Sequence, residues 1–213
     1  QIANPSKHHE LDWTHGALYP GFMALDGITA DSKYRGEMVR IGRKNQWKNW
    51  YRTYHADDYA VNQAFLEMYA IYRDPQMLKP SMDFADFILT NRPQCAVGEI
   101  IHGKNRKFAN LRDDTQMRWW WCDALFMAPP VWAKLYDLTD DARYLDFMVS
   151  EWKATSDFLY DKEECLFFRD SKYFPSKKME ANGRKVFWGR GNGWVLGGLV
   201  RLLQVMPANH PDH

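Results

Sequence analysis

The sequence predicts an all-α protein made of helical hairpins, as in an α/α barrel or a helical solenoid. Seven segments carry the helical period of apolar residues. The first, third, fifth and seventh are apolar on nearly all sides after a polar and aromatic start, whereas the others are amphipathic. Because helices that are apolar all round are buried and amphipathic ones lie outside, this alternation predicts inner and outer helices.

The first four helices are placed by apolar periodicity and by residues that favour helix starts. Leu18, Phe22 and Leu25 recur at helical spacing in the first helix. Asp57 suits a helix start because its side chain can accept from unpaired backbone N–H groups, and Pro75 suits a first turn that needs no donor. The predicted spans are Trp13–Ile28, Ser32–Lys44, a third helix from Asp57-Asp58, and Pro75–Thr90.

The other three helices are expected to begin near Asp123, after Asp140-Asp141 and after Gly191. Between the last two, two β-like runs predict a small hairpin-like insertion, with Asn182-Gly183 as a turn. These runs are Cys165–Arg169 and Lys185–Trp188. The connection 93–118 is long for a compact domain, and such loops are more often functional than idle.

Composition excludes several classes of partner. The 213 residues include 28 basic and 27 acidic ones, so no charged stripe favours nucleic acid. No apolar run approaches the roughly 18 residues of a membrane span. A hydrophobic content of 46% suffices for a sizeable core, and we expect one domain over residues 1–213. The chain does not begin with a signal-peptide pattern, which leaves periplasmic and cytoplasmic locations open.

Cysteines and aromatic residues narrow the expected chemistry. Cys95, Cys122 and Cys165 are odd in number and lack CxxC spacing, which predicts buried free thiols rather than disulfides or a zinc site. No metal and no cofactor is expected. Ten tryptophans fit either a large core or a cleft lined for carbohydrate.

If the inner helices run parallel, their polar starts gather at one end of the protein. That set would combine carboxylates, an arginine and indoles, which could stack a pyranose ring, pair with a sugar carboxylate and supply an acid. Asp123 stands out because it follows three consecutive tryptophans. The gathered residues would be Trp13, His15, Asp57, Asp58, Trp121, Asp123, Arg190, Asn192 and Trp194.

Each of these residues also has a structural interpretation. The aspartates could simply cap helices, and Trp121 and Trp194 could belong to the core. Arg190 could pair with Asp123 rather than hold a substrate. His15 and His55 could be structural as well, as single histidines at helix starts more often are.

Four motifs in this order resemble glycoside hydrolase family 105, the unsaturated rhamnogalacturonyl hydrolases, and the related family 88, the unsaturated glucuronyl hydrolases. The motifs are Trp13-Thr14-His15-Gly16, Ala56-Asp57-Asp58-Tyr59, Trp121-Cys122-Asp123-Ala124 and Trp188-Gly189-Arg190-Gly191-Asn192-Gly193-Trp194. The resemblance covers nearly the whole chain. It implies an (α/α)6 barrel, here with only about its first seven helices, and a role in degrading pectic polysaccharides such as rhamnogalacturonan.

The resemblance also implies an activity and site residues. Such enzymes remove the C4=C5-unsaturated uronic acid from the non-reducing end of oligosaccharides made by lyases. The acid/base falls on Asp123, and the second active-site carboxylate on Asp58 or, less well, on Asp57. Arg190 and Trp194, four residues apart on one helix face, would hold the substrate beside Trp121.

Three features depart from the family pattern. Asn62 stands where a glycine is expected and could crowd its helix. Some relatives have a histidine where this chain has Phe168-Arg169-Asp170, so Arg169 could bind the substrate carboxylate instead. A barrel of twelve helices needs roughly 350 residues. We therefore expect a fragment, a truncated product, or a half-barrel that self-associates through its open edge.

Two other functions remain compatible with the sequence. One is a catalytically inactive carbohydrate-binding α/α module, which the short length favours and the intact acid, tryptophan and arginine set opposes. The other is another α/α-barrel sugar enzyme, such as a lyase or an epimerase. The sequence leaves open which uronic acid and which linked sugar the protein would recognise.

Overall fold

The structure is a computed structural model that describes residues 2–101 and 115–213. Most of the long connection predicted to be functional, residues 102–114, lies outside the described residues. Within them the protein is all-α with two very small antiparallel strand pairs. The helices are α1 Trp13–Ile28, α2 Lys33–Lys44, a 3-10 helix Ala56–Tyr59, α3 Asn62–Tyr72, α4 Pro75–Thr90, α5 Ala124–Met127, α6 Pro129–Thr139, α7 Ala142–Leu159, a 3-10 helix Ser171–Tyr173 and α8 Gly189–Leu203.

The predicted helices are confirmed, with two changes at the inner helix starts. The third helix begins as the 3-10 turn Ala56–Tyr59 and becomes α-helical only at Asn62. The fifth is divided into α5 and α6, because Pro129 and Pro130 cannot donate the backbone hydrogen bonds that would continue α5. Both changes leave a four-residue helix that carries an aspartate at or just before its first turn.

The predicted arrangement of inner and outer helices is also confirmed. α2, α4 and α7 pack outside α1, α3, α6 and α8, and α3 contacts helices on several sides. Glycines let the inner helices approach closely: a Cβ on Gly16 would lie 2.3 Å from Ala60 Cβ, and one on Gly198 only 2.0 Å from the Leu125 carbonyl oxygen. The starts of α1, α5 and the first 3-10 helix are thereby brought together.

The last inner helix differs from the expectation of burial on all sides. Leu196 and Val200 of α8 are 63% and 50% exposed, and Ile28 at the end of α1 is 82% exposed. These side chains lie on the first and last inner helices of the described part, where no further hairpin covers them.

The predicted hairpin was wrong, because the run 165–169 pairs with a different segment from the one that was expected. β3 Tyr160–Asp161 pairs with β4 Leu166–Phe167, while the run at 185–188 forms only an isolated bridge between Met179 and Lys185. Gly183, with φ of +79°, does form the turn in that second segment. The other strand pair joins β1 Ile100–Ile101 to β2 Thr115–Gln116.

Three smaller expectations are also resolved. The cysteines are free, but only Cys122 is buried, and Cys165 is exposed in the turn after β3. Asn62 does not crowd α3, because its side-chain amide donates to Ser81 Oγ at 2.7 Å in the core. In the described ranges no helix is both long and apolar enough to cross a membrane.

Candidate active site

Asp58 is the buried member of an ion pair with the partly exposed Arg52. Its carboxylate is fully buried and accepts from the Arg52 guanidinium, with Nη2 at 2.6 Å from Oδ1, and from the Arg52 backbone N–H at 2.7 Å. The Asp58 carbonyl accepts from the backbone N–H of Trp50 at 3.1 Å. Each carboxylate oxygen therefore has a partner, and these contacts fold the loop 50–58 onto the first 3-10 helix.

Asp57 has a different environment from its neighbour. Its side chain is 18% exposed, and burial together with the nearby Asp123 carboxylate raises the pKa of Asp57 to about 7. Arg52 acts in the opposite direction on the same group but does not cancel the rise. Asp57 thus keeps a partly exposed carboxyl group with a raised pKa, whereas Arg52 occupies both oxygens of Asp58, the residue that the sequence favours as the second carboxylate.

His55, which the sequence favours as a structural residue, is a neighbour of the site. Its ring packs at 4.8 Å from that of Trp121, and its Nδ1 lies 3.7 Å from Asp57 Oδ2 without a hydrogen-bond partner. Burial, with a smaller effect of Arg52, lowers the pKa of His55 to about 3. A neutral imidazole therefore stands between an acid and an indole. Its position two residues before Asp57 was the available signal.

Asp123 is not a helix cap. It lies directly before α5, yet its side chain makes no capping hydrogen bond, and Oδ1 is buried without a partner. Burial raises the pKa of Asp123 to about 6, although Arg169, the Trp121 side chain and Arg190 each act to lower it. A carboxyl group with a free oxygen and a pKa near neutrality is suited to give up and take back a proton.

The expected stacking role of Trp121 does not fit its position. The residue is only 8% exposed, with His55 and Trp120 both 4.8 Å away between ring centroids. Little of the indole surface remains for a sugar. Trp121 instead packs between the two acidic segments and helps to hold them in place.

Two arginines lie on the other side of Asp123. The guanidinium carbons of Arg169 and Arg190 lie 5.7 Å and 4.8 Å from the centre of the Trp188 ring. Both arginines are exposed, and neither forms a direct ion pair with Asp123 among the described contacts. Trp188, which belongs to the quoted motif but was given no role, thus supports both candidate anion-binding groups.

The segment that carries this arginine pair is tied to the rest of the site. The Arg169 carbonyl accepts from the Cys122 backbone N–H at 2.8 Å. The Asn192 side chain accepts from the Phe167 N–H at 2.8 Å and donates to its carbonyl at 3.0 Å, joining β4 to α8. Asn192 therefore positions the segment rather than facing a ligand.

The remaining predicted residues divide between the site and its surroundings. Trp13 is half-buried against the core cluster that contains Trp121, and Trp194 packs against Phe126 at 4.8 Å between ring centroids. His15 was expected to bind substrate but is buried beside Tyr19, with Nε2 3.4 Å from the His8 carbonyl oxygen. It lines a separate cavity next to α2 because the N-terminal segment covers it.

The parts of the chain that the structure describes contain no group of three metal-ligating side chains. The inner helix starts thus combine two carboxyl groups of raised pKa with two nearby arginines and several indoles, in an α/α arrangement of helices. The family model for Glycosyl Hydrolase Family 88 matches residues 2–213, and the chain belongs to that family.

Curated relatives and solved structures agree with this assignment. The chain is 34% identical over 201 residues to an unsaturated 3S-rhamnoglycuronyl hydrolase of Alteromonas sp., covering 94% of this chain and 48% of that protein. It is 35% identical over 205 residues to a protein of the same name from Formosa agariphila, covering 93% and 52%. The chain thus spans about half the length of these relatives.

The fold is that of the (α/α)6 barrels of these families. A family 88 glycosyl hydrolase structure from Bacteroides vulgatus gives a TM-score of 0.76 at 24% identity, covering 95% of this chain and 58% of that one. A family 105 glycoside hydrolase structure from C. acetobutylicum gives 0.69 at 19% identity, covering 95% and 56%. The resemblance of the motifs to families 105 and 88 is confirmed.

Proposed function

We propose that this chain hydrolyses C4=C5-unsaturated uronic acid from the non-reducing end of lyase-generated oligosaccharides, with Asp123 as the proton donor. The observation that carries the proposal is the state of Asp123: its Oδ1 is buried without a partner and its pKa is raised to about 6. The relatives named as unsaturated 3S-rhamnoglycuronyl hydrolases support this class of substrate.

The reaction begins with proton transfer from Asp123 to C4 of the substrate. The two electrons of the C4=C5 bond form the new C4–H bond, and positive charge develops at C5 and the ring oxygen. Water then attacks C5 and returns a proton to Asp123. The C5 hemiketal opens to a ketone, C1 becomes a hemiacetal, and the neighbouring sugar is expelled as an alcohol. This sequence differs from the usual displacement at the anomeric carbon.

The surrounding residues have separate tasks in this proposal. Asp57 shares the proton of the carboxyl pair, so that the pair retains a proton near neutral pH. Arg190 and Arg169 bind the substrate carboxylate, with Trp188 holding their guanidinium planes. Trp13 and Trp194 contact the sugar rings. Asp58 has no direct role with the substrate, because Arg52 occupies its oxygens.

The test is an assay with an unsaturated disaccharide, followed by loss of the ultraviolet absorbance of the conjugated double bond. Asp123→Asn is expected to reduce the rate about a thousandfold, because it removes the acid and base but keeps the shape. The exposed Asp157→Asn is the matched control. Wild-type rates in Asp123→Asn would overturn the proposal.

The same assay separates the alternatives. A carbohydrate-binding module would bind the disaccharide without any change in absorbance. A lyase acting on a saturated polysaccharide would create the absorbance rather than remove it, and an epimerase would leave it unchanged.

We also propose that a second copy of the chain covers the exposed apolar side chains of α1 and α8. The exposure of Ile28, Leu196 and Val200 supports it. Sedimentation should show an association that weakens in Leu196→Gln. A monomer at all concentrations would contradict it.

A further inference from the structure

A second cleft of about 1020 Å³ lies away from the carboxyl pair, on the outer side of the helices. One wall is the end of α2 and the loop 45–53, and the other is the outer helix α4. Trp47 and Phe84 form part of its lining. The lining of this cleft contains none of the residues that take part in the proposed hydrolysis. The cleft therefore has no role in that reaction.

The loop that forms one wall is held in a specific shape. Gln46 and Trp47 have positive φ values of 55° and 58°, a conformation that side chains other than glycine seldom adopt. The Trp47 indole packs against Gly42, where a Cβ would lie 2.2 Å from the ring, and edge-on to Phe65 at 5.3 Å. Because this packing fixes the loop, the cleft is formed before any ligand arrives.

The cleft carries positive charge that the protein itself does not neutralise. Arg43 is exposed and forms no ion pair with any residue that the structure describes. Lys48 is exposed too, and its Nζ donates to the neutral side chain of Gln46 at 2.7 Å. Lys79, in contrast, is paired with Asp83 at 2.6 Å. Two cations therefore remain for a ligand.

The rest of the lining suits a sugar better than a small inorganic anion. Phe84 and Phe87 both line the cleft and give it an aromatic floor. Asn49 and Gln76 add side-chain amides that can both donate and accept. Two cations without an acidic partner beside an aromatic floor match a chain that alternates apolar ring faces with single acidic groups.

We propose that this outer cleft binds a uronate-containing oligosaccharide, with Arg43 and Lys48 pairing with its carboxylates above the aromatic floor of the cleft. This is a second carbohydrate site, and binding there does not depend on the proposed hydrolysis. The loop 45–58 joins the two regions, since it lines the cleft near Lys48 and carries Arg52 and His55 at its other end. A glycan in the cleft would keep the chain close to its polysaccharide.

The test uses a saturated galacturonate tetrasaccharide as the probe, because without a C4=C5 bond it cannot be hydrolysed by the proposed reaction. Calorimetric titration of the whole chain should give saturable binding that weakens as salt is added. The variant Arg43→Gln/Lys48→Gln should bind at least about tenfold more weakly. Lys177→Gln/Arg184→Gln removes the same charge from exposed positions elsewhere and should bind as the wild type does.

Three results would overturn the proposal. These are no binding of the tetrasaccharide, equal binding by both double variants, and equal binding of a neutral galactose tetrasaccharide. Hydrolysis of the unsaturated disaccharide should be unchanged in Arg43→Gln/Lys48→Gln. Because binding is measured with a ligand that is not a substrate, failure of the outer cleft and failure of the proposed hydrolysis would be seen separately.

Discussion

The two acidic segments of the site have similar short helices, but their aspartates differ in the hydrogen bonds that they accept. Ala56–Tyr59 and Ala124–Met127 are both four-residue helices at the start of an inner helix, and aspartates lie in or just before each. In the first, Arg52 takes up both oxygens of Asp58 and leaves Asp57 unneutralised. In the second, no residue donates to Asp123 Oδ1. Asp123 therefore keeps one carboxylate oxygen free for proton transfer, whereas both oxygens of Asp58 are occupied.

The largest effect on the free energy of unfolding is expected from removing the Arg52–Asp58 ion pair. Neither Asp57 nor Asp123 has such a pair with an arginine among the described contacts. Arg52→Met leaves the buried Asp58 carboxylate with only the backbone N–H of residue 52 as donor and should cost about 2 kcal/mol of stability at pH 7. Because the unpaired Asp58 would favour its protonated form, the loss should shrink as the pH falls towards 4. Urea denaturation at both pH values measures it. Arg143→Met, in an exposed pair with Asp141, should leave the midpoint unchanged.

Of the two adjacent aspartates, Asp57 is expected to be the one that shares a proton with Asp123. Asp57→Asn should lower kcat/KM for an unsaturated disaccharide about a hundredfold at pH 7, because Asp123 then loses the neighbour that shares its proton. The upper limit of the pH–rate profile should also move to lower pH. Unchanged kcat/KM and an unchanged profile would return the second carboxylate role to Asp58.

Much of the architecture followed from the sequence for a simple physical reason. Apolar periodicity reports burial, and the predicted bounds of Trp13–Ile28 and Pro75–Thr90 agree with α1 and α4 residue for residue. The split at Pro129 follows from two adjacent prolines, which apolar periodicity alone does not register. The partner of β4 was mistaken, because a two-residue strand gives no alternation to read.

The candidate site was harder to predict from the sequence than the fold, because adjacent residues can face different environments. Asp57 and Asp58 are the same residue type at adjacent positions. They differ in the structure because Arg52, six residues before Asp58, forms its ion pair with Asp58. The sequence predicts that both Trp121 and Trp194 contact the sugar substrate, yet Trp121 is buried between two rings. His15 begins an inner helix as predicted, but the N-terminal segment packs over it. Such contacts depend on loops, whose path periodicity does not describe.

A smaller effect is expected in how stability depends on pH. Burial raises the pKa values of Asp57 and Asp123 to about 7 and about 6, above their ordinary values. The folded state therefore binds more protons than the unfolded state between about pH 4 and 7, so stability falls as the pH rises through that range. Asp57→Asn should stabilise the protein by about 1–2 kcal/mol at pH 8 and have little effect at pH 4. Thermal unfolding of this variant and of Asp157→Asn at the two pH values makes the comparison, and equal changes in both would contradict it.

The smallest effect concerns His55, which touches both acidic segments. His55→Phe keeps a ring against Trp121 but removes the neutral Nδ1 that lies 3.7 Å from Asp57 Oδ2. Because a neutral imidazole nitrogen can accept the proton of the Asp57 carboxylic acid, its loss should leave Asp57 less well oriented and reduce kcat about tenfold. KM and the unfolding midpoint should change little, since the packing is kept and an unpaired buried nitrogen is removed. His9→Phe, which also replaces a histidine stacked on a tryptophan, serves as control because its partner Trp50 lies outside the carboxyl pair. A loss of stability without a change in kcat would show that His55 only fills space between the two segments.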